Sequence, residues 1–110
     1  MISKELLSAV LKEKRVILDY EISISKNEIH YGHIDIEEDG FINIYELAHK
    51  CKEWAISKGW ILHEVRNLKE YIIYFGGDYR EPSDDFRAET EPEAIFKACQ
   101  WILDKDSKWH

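Results

Sequence analysis

The sequence contains few of the residues that build cross-linked or repetitive chains. Among its 110 residues there are only two cysteines, two prolines and five glycines. A disulfide scaffold needs several closely spaced cysteines, and collagen-like or low-complexity chains need far more glycine and proline, so these classes are excluded. Cys51 and Cys99 both lie in strongly helical stretches among apolar neighbours. We therefore expect two reduced, buried thiols.

Long apolar runs are also absent. The uninterrupted apolar stretches extend over only a few residues, whereas a membrane-spanning helix needs roughly 18 or more. The first residues, Met-Ile-Ser-Lys-Glu, lack the charged and then apolar layout of a signal peptide. These two features predict a soluble, cytoplasmic protein.

Positive charge is scarce. The chain has 15 Lys and Arg against 22 Asp and Glu, which gives a formal net charge of −7 with histidine neutral. Binding to nucleic-acid phosphates requires a basic stripe, so direct nucleic-acid binding is not expected. The 45% hydrophobic and 13% aromatic content suffices for a core and excludes disorder across the whole chain. The length predicts a single domain over residues 1–110.

Three helices are predicted from their N-terminal caps. Ser3 precedes the first apolar stripe, and Asn43 and Thr90 are each followed three residues later by a glutamate, Glu46 and Glu93. This spacing is typical of a capping box, in which side chains satisfy the free N–H groups of the first helical turn. The predicted helices extend over residues 4–13, 44–58 and 91–104.

Between the caps the apolar residues recur at every second position, which is typical of strands. A turn at Lys26–Asn27 separates the first two predicted strands, and a short polar turn separates the third from the fourth. The predicted strands extend over residues 16–24, 28–36, 60–65, 71–75 and 86–89. Strands that arrive in hairpins form antiparallel sheets. The sequence therefore predicts an α+β fold, an antiparallel sheet with flanking helices in the order α-β-β-α-β-β-β-α.

Two of the helical segments resemble those of a known family. Asn43–Ala55 and Thr90–Ile102, with strands between them, resemble the phage ABA sandwich domain, which groups small phage and prophage proteins. The resemblance covers about residues 43–104 and is strongest in the closing helix. It implies helices layered on both sides of a sheet and an accessory role in a phage. It implies no reaction.

The segment 35–46 has the spacing of an EF-hand calcium loop at several positions. Carboxylate and amide side chains supply the oxygens that calcium prefers, and Gly40 allows the sharp turn within the loop. The candidate ligands are Asp35, Glu37, Asp39, Asn43 and Glu46. The same residues also predict a turn at Asp39–Gly40 followed by a helix cap, and the segment before them alternates like a strand. Both interpretations remain open at this point.

No motif specific to catalysis occurs in the chain. A small enzyme, with a site assembled from the sheet face and the loop over residues 78–85, is the alternative. A deep pocket in which His63, Glu64 and Tyr71 converge would favour it. Gly76–Gly77 is followed by acidic residues rather than by a lysine at a helix start, so it does not form a phosphate loop. We therefore expect no catalytic residues and no cofactor.

Acidic residues concentrate after residue 77, and aromatic residues lie among them. Clustered carboxylates attract a basic protein, and aromatic side chains supply apolar anchors at interfaces. The predicted partner-binding residues are Asp78, Tyr79, Glu81, Asp84, Asp85 and Phe86. The sequence thus favours a non-enzymatic accessory module that binds a protein, with a nucleic-acid-handling or defence protein as the expected partner. The sheet-face enzyme and the calcium loop are the alternatives.

Overall fold

The computed structural model describes residues 2–11, 23–25, 27–31, 40–76 and 83–107, with the backbone alone described for residues 23–25, 106 and 107. These residues form three helices and six strands. In chain order they are α1 (Lys4–Leu11), β1 (Ser23–Ser25), β2 (Glu28–Tyr31), β3 (Gly40–Asn43), α2 (Ile44–Ser57), β4 (Ile61–Arg66), β5 (Tyr71–Gly76), β6 (Phe86–Ala88) and α3 (Glu91–Ser107).

The helices α2 and α3 begin at the predicted caps. Asn43 Oδ1 accepts hydrogen bonds from the N–H groups of Tyr45 at 2.8 Å and Glu46 at 3.3 Å. Thr90 Oγ1 accepts one from the N–H of Glu93 at 3.4 Å. Each cap satisfies N–H groups that have no partner inside the helix. The two helix starts predicted from these residues are confirmed.

The helix α1 begins at Lys4, directly after its predicted cap Ser3, and the predicted residues 12 and 13 lie outside the described residues. Ser3 Oγ accepts a hydrogen bond from the N–H of Leu6 at 3.1 Å and donates one to Gln100 Oε1 at 2.6 Å. The second bond joins the start of α1 to α3, 97 residues later in the chain. The Ser3 hydroxyl therefore caps α1 and also connects it to α3.

The first sheet is antiparallel, with strand order β1-β2-β3. At the predicted turn, Asn27 has a φ of 67°, a left-handed conformation that asparagine tolerates, and Lys26 lies outside the described residues. The strand β3 is additional to the predicted order. It pairs Ile42 with Ile29 and Gly40 with Tyr31 on β2. Its four residues, Gly-Phe-Ile-Asn, extend from Gly40 of the predicted turn to the helix cap Asn43. They are too few to show a clear alternation of apolar and polar residues.

The second sheet is the predicted antiparallel meander, in the order β4-β5-β6. The turn between β4 and β5 is held by Asn67, whose Oδ1 accepts hydrogen bonds from the N–H groups of Lys69 and Glu70, both at 2.8 Å. The Asn67 side chain thus takes the place of a backbone carbonyl as the hydrogen-bond acceptor in the turn, as asparagine commonly does.

The core lies where α3 packs across β5 and β6, with α2 against α3 and β4. An aromatic cluster occupies the side of α3 that faces the sheet: Phe75, Phe86 and Trp60 surround Trp101, and the ring centroids of Trp60 and Trp101 lie 5.1 Å apart in an edge-to-face arrangement. Lys105 Nζ lies 4.9 Å from the Trp101 centroid. Edge-to-face rings and an adjacent ammonium group both stabilise such a cluster beyond its apolar burial.

The predicted α+β class, antiparallel strand pairing and flanking helices are confirmed. The described strands form two sheets where one was predicted, and β3 is added to the predicted order. In the described part of the chain, the helices that contact the second sheet pack against a single face of it. None of the described helices combines the length and apolar character needed to cross a bilayer.

Candidate functional site

The second sheet has one covered face and one open face. Because alternate residues of a strand point to opposite faces, and paired residues share a face, the strand register assigns each side chain. The inner face carries the buried Ile73 and Phe75 and packs against the helices. The outer face comprises Ile61, His63 and Val65 of β4, Ile72 and Tyr74 of β5, and Arg87 of β6.

The outer face is rich in apolar and aromatic side chains that remain accessible. Ile61 and Val65 are 48% and 49% exposed. Across the strands, Val65 lies opposite Ile72, and the ring of His63 stacks on Tyr74 with centroids 4.8 Å apart. Scattered apolar residues are normal on a protein surface, whereas a contiguous group on a sheet is characteristic of an interaction site.

The tip of the β4–β5 hairpin adds a further apolar side chain. Leu68 is 105% exposed, which is full exposure, on a turn whose backbone is held by Asn67. A leucine at this position buries none of its side chain in the core, so it is available to contact another molecule.

Carboxylates border the outer face along β6. Arg87 donates to Glu70 Oε1 at 2.8 Å, and its second nitrogen lies 3.5 Å from Asp85 Oδ2. The hydrogen bond from Arg87 to Glu70 raises the pKa of the guanidinium. Asp84, which precedes Asp85 in the chain, is also exposed. Two carboxylates contact the Arg87 guanidinium, and Lys97 Nζ donates to the Arg87 carbonyl oxygen at 2.9 Å, so this border carries charges of both signs.

The predicted partner-binding residues are only partly placed. Asp78, Tyr79 and Glu81 lie outside the described residues. Asp84 and Asp85 are exposed, as a contact role requires. Phe86 is half-buried, and its ring packs against Phe75 and Trp101 with centroids 6.4 and 5.9 Å away. Phe86 therefore belongs mainly to the core cluster.

Ser83 is a residue that the sequence did not single out. Its Oγ accepts a hydrogen bond from the N–H of Phe75 at 2.7 Å, and its N–H donates to the carbonyl of Phe75 at 2.8 Å. These two bonds attach the start of the acidic segment to β5. They place Asp84 and Asp85 at the border of the outer face.

The residues of the enzyme alternative do not converge. His63 lies on the outer face, whereas Glu64 and Tyr71 lie on the inner face. The pKa of Glu64 is raised because partial burial and the neighbouring Glu91 carboxyl disfavour its charged form, and Lys52 opposes this effect. Groups on opposite faces of a sheet cannot act on one substrate atom.

A cleft of about 200 Å³ lies between the β1–β2 turn and the first turns of α2 and α3. It is smaller than most small-molecule sites, which occupy roughly 300–1,000 Å³. Among the described residues, its lining includes one carboxylate and no histidine, cysteine or lysine, so these residues do not form an acid–base site. The lining residues are Asn27, Ile29, Ile44, Tyr45, Thr90, Pro92, Glu93 and Phe96.

The calcium-loop candidates are divided between described and undescribed positions. Asp35, Glu37 and Asp39 lie outside the described residues. Asn43 uses its side-chain oxygen to cap α2, and Glu46 is exposed in the first turn of that helix. An EF-hand loop follows a helix, whereas the described residues before this loop form the strands β1 and β2. Among the described residues, no three His, Cys, Asp or Glu side chains are grouped as metal ligands.

Millimolar calcium is expected to leave the melting temperature of the protein unchanged, because Asn43 acts as a cap and only a ligand that binds the native state raises it. Thermal unfolding followed by circular dichroism, with and without calcium, measures this. A calcium-dependent rise of several degrees that Asp35→Ala removes would contradict the expectation and favour the EF-hand interpretation.

Cys51 and Cys99 are free and buried, as predicted. Cys99 Sγ lies 3.5 Å from the carbonyl oxygen of Cys51 and donates to it across the α2–α3 interface. A hydrogen bond with Cys99 and burial both raise the pKa of the Cys51 thiol. A protonated, buried thiol is a poor nucleophile, so this pair contributes packing rather than chemistry.

The outer face, with Leu68 at its end and carboxylates along its border, is thus the candidate functional site. It is a broad surface suited to contact with a macromolecule rather than a pocket suited to a small substrate. Comparisons of the chain with protein-family models, with curated protein sequences and with solved structures find no match.

Proposed function

We propose that this protein is a non-enzymatic module that binds another protein through the outer face of its second sheet. The observation that carries the proposal is the exposure of Ile61 and Val65 on a sheet face, with Leu68 exposed at the adjoining turn. Covering such side chains removes apolar surface from water, which is the main favourable contribution to protein association. Both aliphatic residues lie on strand backbone that is paired with β5, so binding orders few additional groups.

The charge around this face supports a basic partner. Glu70 and Asp85 contact Arg87 at the border of the face, Asp84 is exposed next to Asp85 in the chain, and Lys97 donates to the Arg87 carbonyl oxygen. The whole chain carries a net charge of −7. Complementary charge at the rim accelerates encounter and selects partners, while the apolar centre supplies affinity. The partner therefore has an apolar patch with lysine or arginine around it.

The resemblance of residues 43–104 to small phage proteins suggests where such a partner is found. A phage accessory protein acts on components of its bacterial host, and proteins that handle nucleic acids carry the basic surfaces that an acidic rim attracts. The proposed partner is accordingly a nucleic-acid-handling or defence protein.

A comparison of two lysine variants tests the proposal. Ile61→Lys with Val65→Lys places charges on the outer face, whereas Ile56→Lys places one on α2, where Ile56 is 63% exposed. A protein retained from host lysate by the unaltered chain is expected to bind Ile56→Lys equally and the double variant at least about tenfold more weakly. Unchanged melting temperatures show that all three chains are folded. Equal binding by the double variant would contradict the proposal.

The acidic border is tested separately by kinetics with the retained partner. Association is expected to slow between low and physiological salt, and to slow further when Asp84 and Asp85 are both replaced by lysine, because steering depends on screened charges. Surface plasmon resonance measures both rates. Association that is insensitive to salt and to the reversal would show that the border only keeps the protein soluble.

A further inference from the structure

In the part of the chain that the structure describes, the strand β4 has a free edge. It is an outer strand of the sheet, and among the described residues only β5 pairs with it. Five of its six residues are exposed. An edge strand leaves alternate N–H and C=O groups unpaired, and natural edges are protected by charged residues, above all lysine, by proline or by a bulge. The sequence Ile-Leu-His-Glu-Val-Arg contains neither lysine nor proline, and its Glu64 and Arg66 lie on the inner side.

The two faces of this edge differ in chemistry. On the outer side, Ile61, His63 and Val65 form a largely apolar row. On the inner side, Glu64 lies between Leu62 and Arg66 in the same strand register. A strand that pairs with β4 places successive side chains alternately beside these two rows.

On the inner side, the carboxylates near Glu64 outnumber the ammonium groups that interact with them. Lys52 Nζ lies 3.5 Å from Glu91 Oε1, and the Glu64 and Glu91 carboxyls interact with each other. The ammonium group of Lys52 therefore interacts with the carboxylates of both Glu64 and Glu91. Arg66 does not neutralise these carboxylates, because its guanidinium lies over the ring of Tyr71, 5.0 Å from the centroid. A cation from another molecule beside Glu64 would complete the cluster.

We infer that the partner pairs with the free edge of β4 as an added strand. Its segment is extended, with apolar residues opposite Ile61, His63 and Val65 and a lysine or arginine opposite Glu64. The inference rests on the proposed function and specifies how the partner is held: backbone hydrogen bonds supply affinity, and the alternating side chains supply specificity.

A short peptide with this pattern is the direct probe. We use acetyl-Thr-Val-Lys-Val-Thr-Val-amide, whose valines match the outer row and whose lysine matches Glu64. Titrated into the isotopically labelled full chain, it is expected to shift the amide resonances of β4 and to slow hydrogen exchange there. Replacing the peptide lysine with glutamate, or Glu64→Gln in the protein, is expected to weaken binding about two- to fivefold, the scale of an exposed ion pair. Glu89→Gln, beyond β6, serves as the matched control and is expected to have no effect.

N-methylation distinguishes strand addition from simple apolar contact. Alternate amides of a strand point to the same edge, so methylating one alternate set of peptide amides is expected to abolish binding while methylating the other set is tolerated. Equal binding of the two methylated peptides, or no shift of the β4 amides with any peptide, would overturn the inference. If the Ile61→Lys, Val65→Lys variant still loses the lysate partner in that case, the proposed function stands without strand addition.

Discussion

Replacement of Phe75 by alanine is expected to lower the free energy of unfolding by about 3–5 kcal/mol, the range found when a large aromatic side chain is removed from a core. Phe75 is fully buried on the inner face of the second sheet. Its ring lies against Trp60, Phe86 and Trp101, with centroids 6.1, 6.4 and 6.3 Å away. Alanine would leave a cavity between the sheet and α3 that three rigid rings cannot fill. Native domains are stable by only about 5–15 kcal/mol, so this one change approaches global unfolding.

Urea unfolding followed by tryptophan fluorescence measures the loss at Phe75. Leu68→Ala is the control, because Leu68 is fully exposed and its truncation is expected to change stability by no more than about 0.5 kcal/mol. Phe75→Leu, which keeps most of the volume, is expected to destabilise less than Phe75→Ala. Similar unfolding midpoints for Phe75→Ala and Leu68→Ala would show that the aromatic cluster is not the centre of the core.

Gly40→Ala is expected to destabilise the protein by about 1–3 kcal/mol, the usual cost of adding a methyl group where there is no space. Gly40 on β3 lies directly opposite Tyr31 on β2. A Cβ atom at Gly40 would lie 2.5 Å from Cζ and 2.8 Å from Oη of Tyr31, closer than carbon and oxygen atoms approach without repulsion. Tyr31 is only 7% exposed, so its ring has little room to move.

Gly76→Ala is the matched control for Gly40, because it is also a strand glycine opposite a cross-strand residue. A Cβ atom at Gly76 would meet its nearest neighbour, His63 Nε2, at 3.4 Å. We expect this change to alter stability by no more than about 0.5 kcal/mol. In a double-mutant cycle, Gly40→Ala is expected to cost much less when Tyr31 is also alanine, since the overlapping ring is gone. Additive effects in that cycle would contradict the steric explanation.

The helices and the meander follow from interactions that are local in the chain. The caps at Asn43 and Thr90 are hydrogen bonds between residues two or three apart, so the sequence alone places both helix starts. The turn at Asn27 depends on a left-handed backbone conformation that asparagine tolerates by itself. Such signals do not depend on how distant segments pack, which is why the α+β class and the antiparallel pairing could be predicted.

The candidate site depends on contacts between distant segments. Alternation along β4 shows that its residues face two sides, but only the packing of α2 and α3 decides which side is covered. The same packing separates His63 from Glu64 and leaves Ile61 and Val65 exposed. No local pattern distinguishes an apolar residue that will be buried from one that will remain on the open face.

What the sequence by itself determined is therefore the set of elements: three capped helices, the two hairpins, the buried thiols and the acidic charge. What only the tertiary structure decided is the pairing of β3 with β2, the attachment of Ser83 to β5, the inclusion of Phe86 in the core cluster and the identity of the open face. The physical reason is the separation along the chain between the residues that interact. Caps and turns are stabilised by hydrogen bonds within a few residues, whereas burial is shared among segments that are far apart in the chain and meet only in the folded molecule.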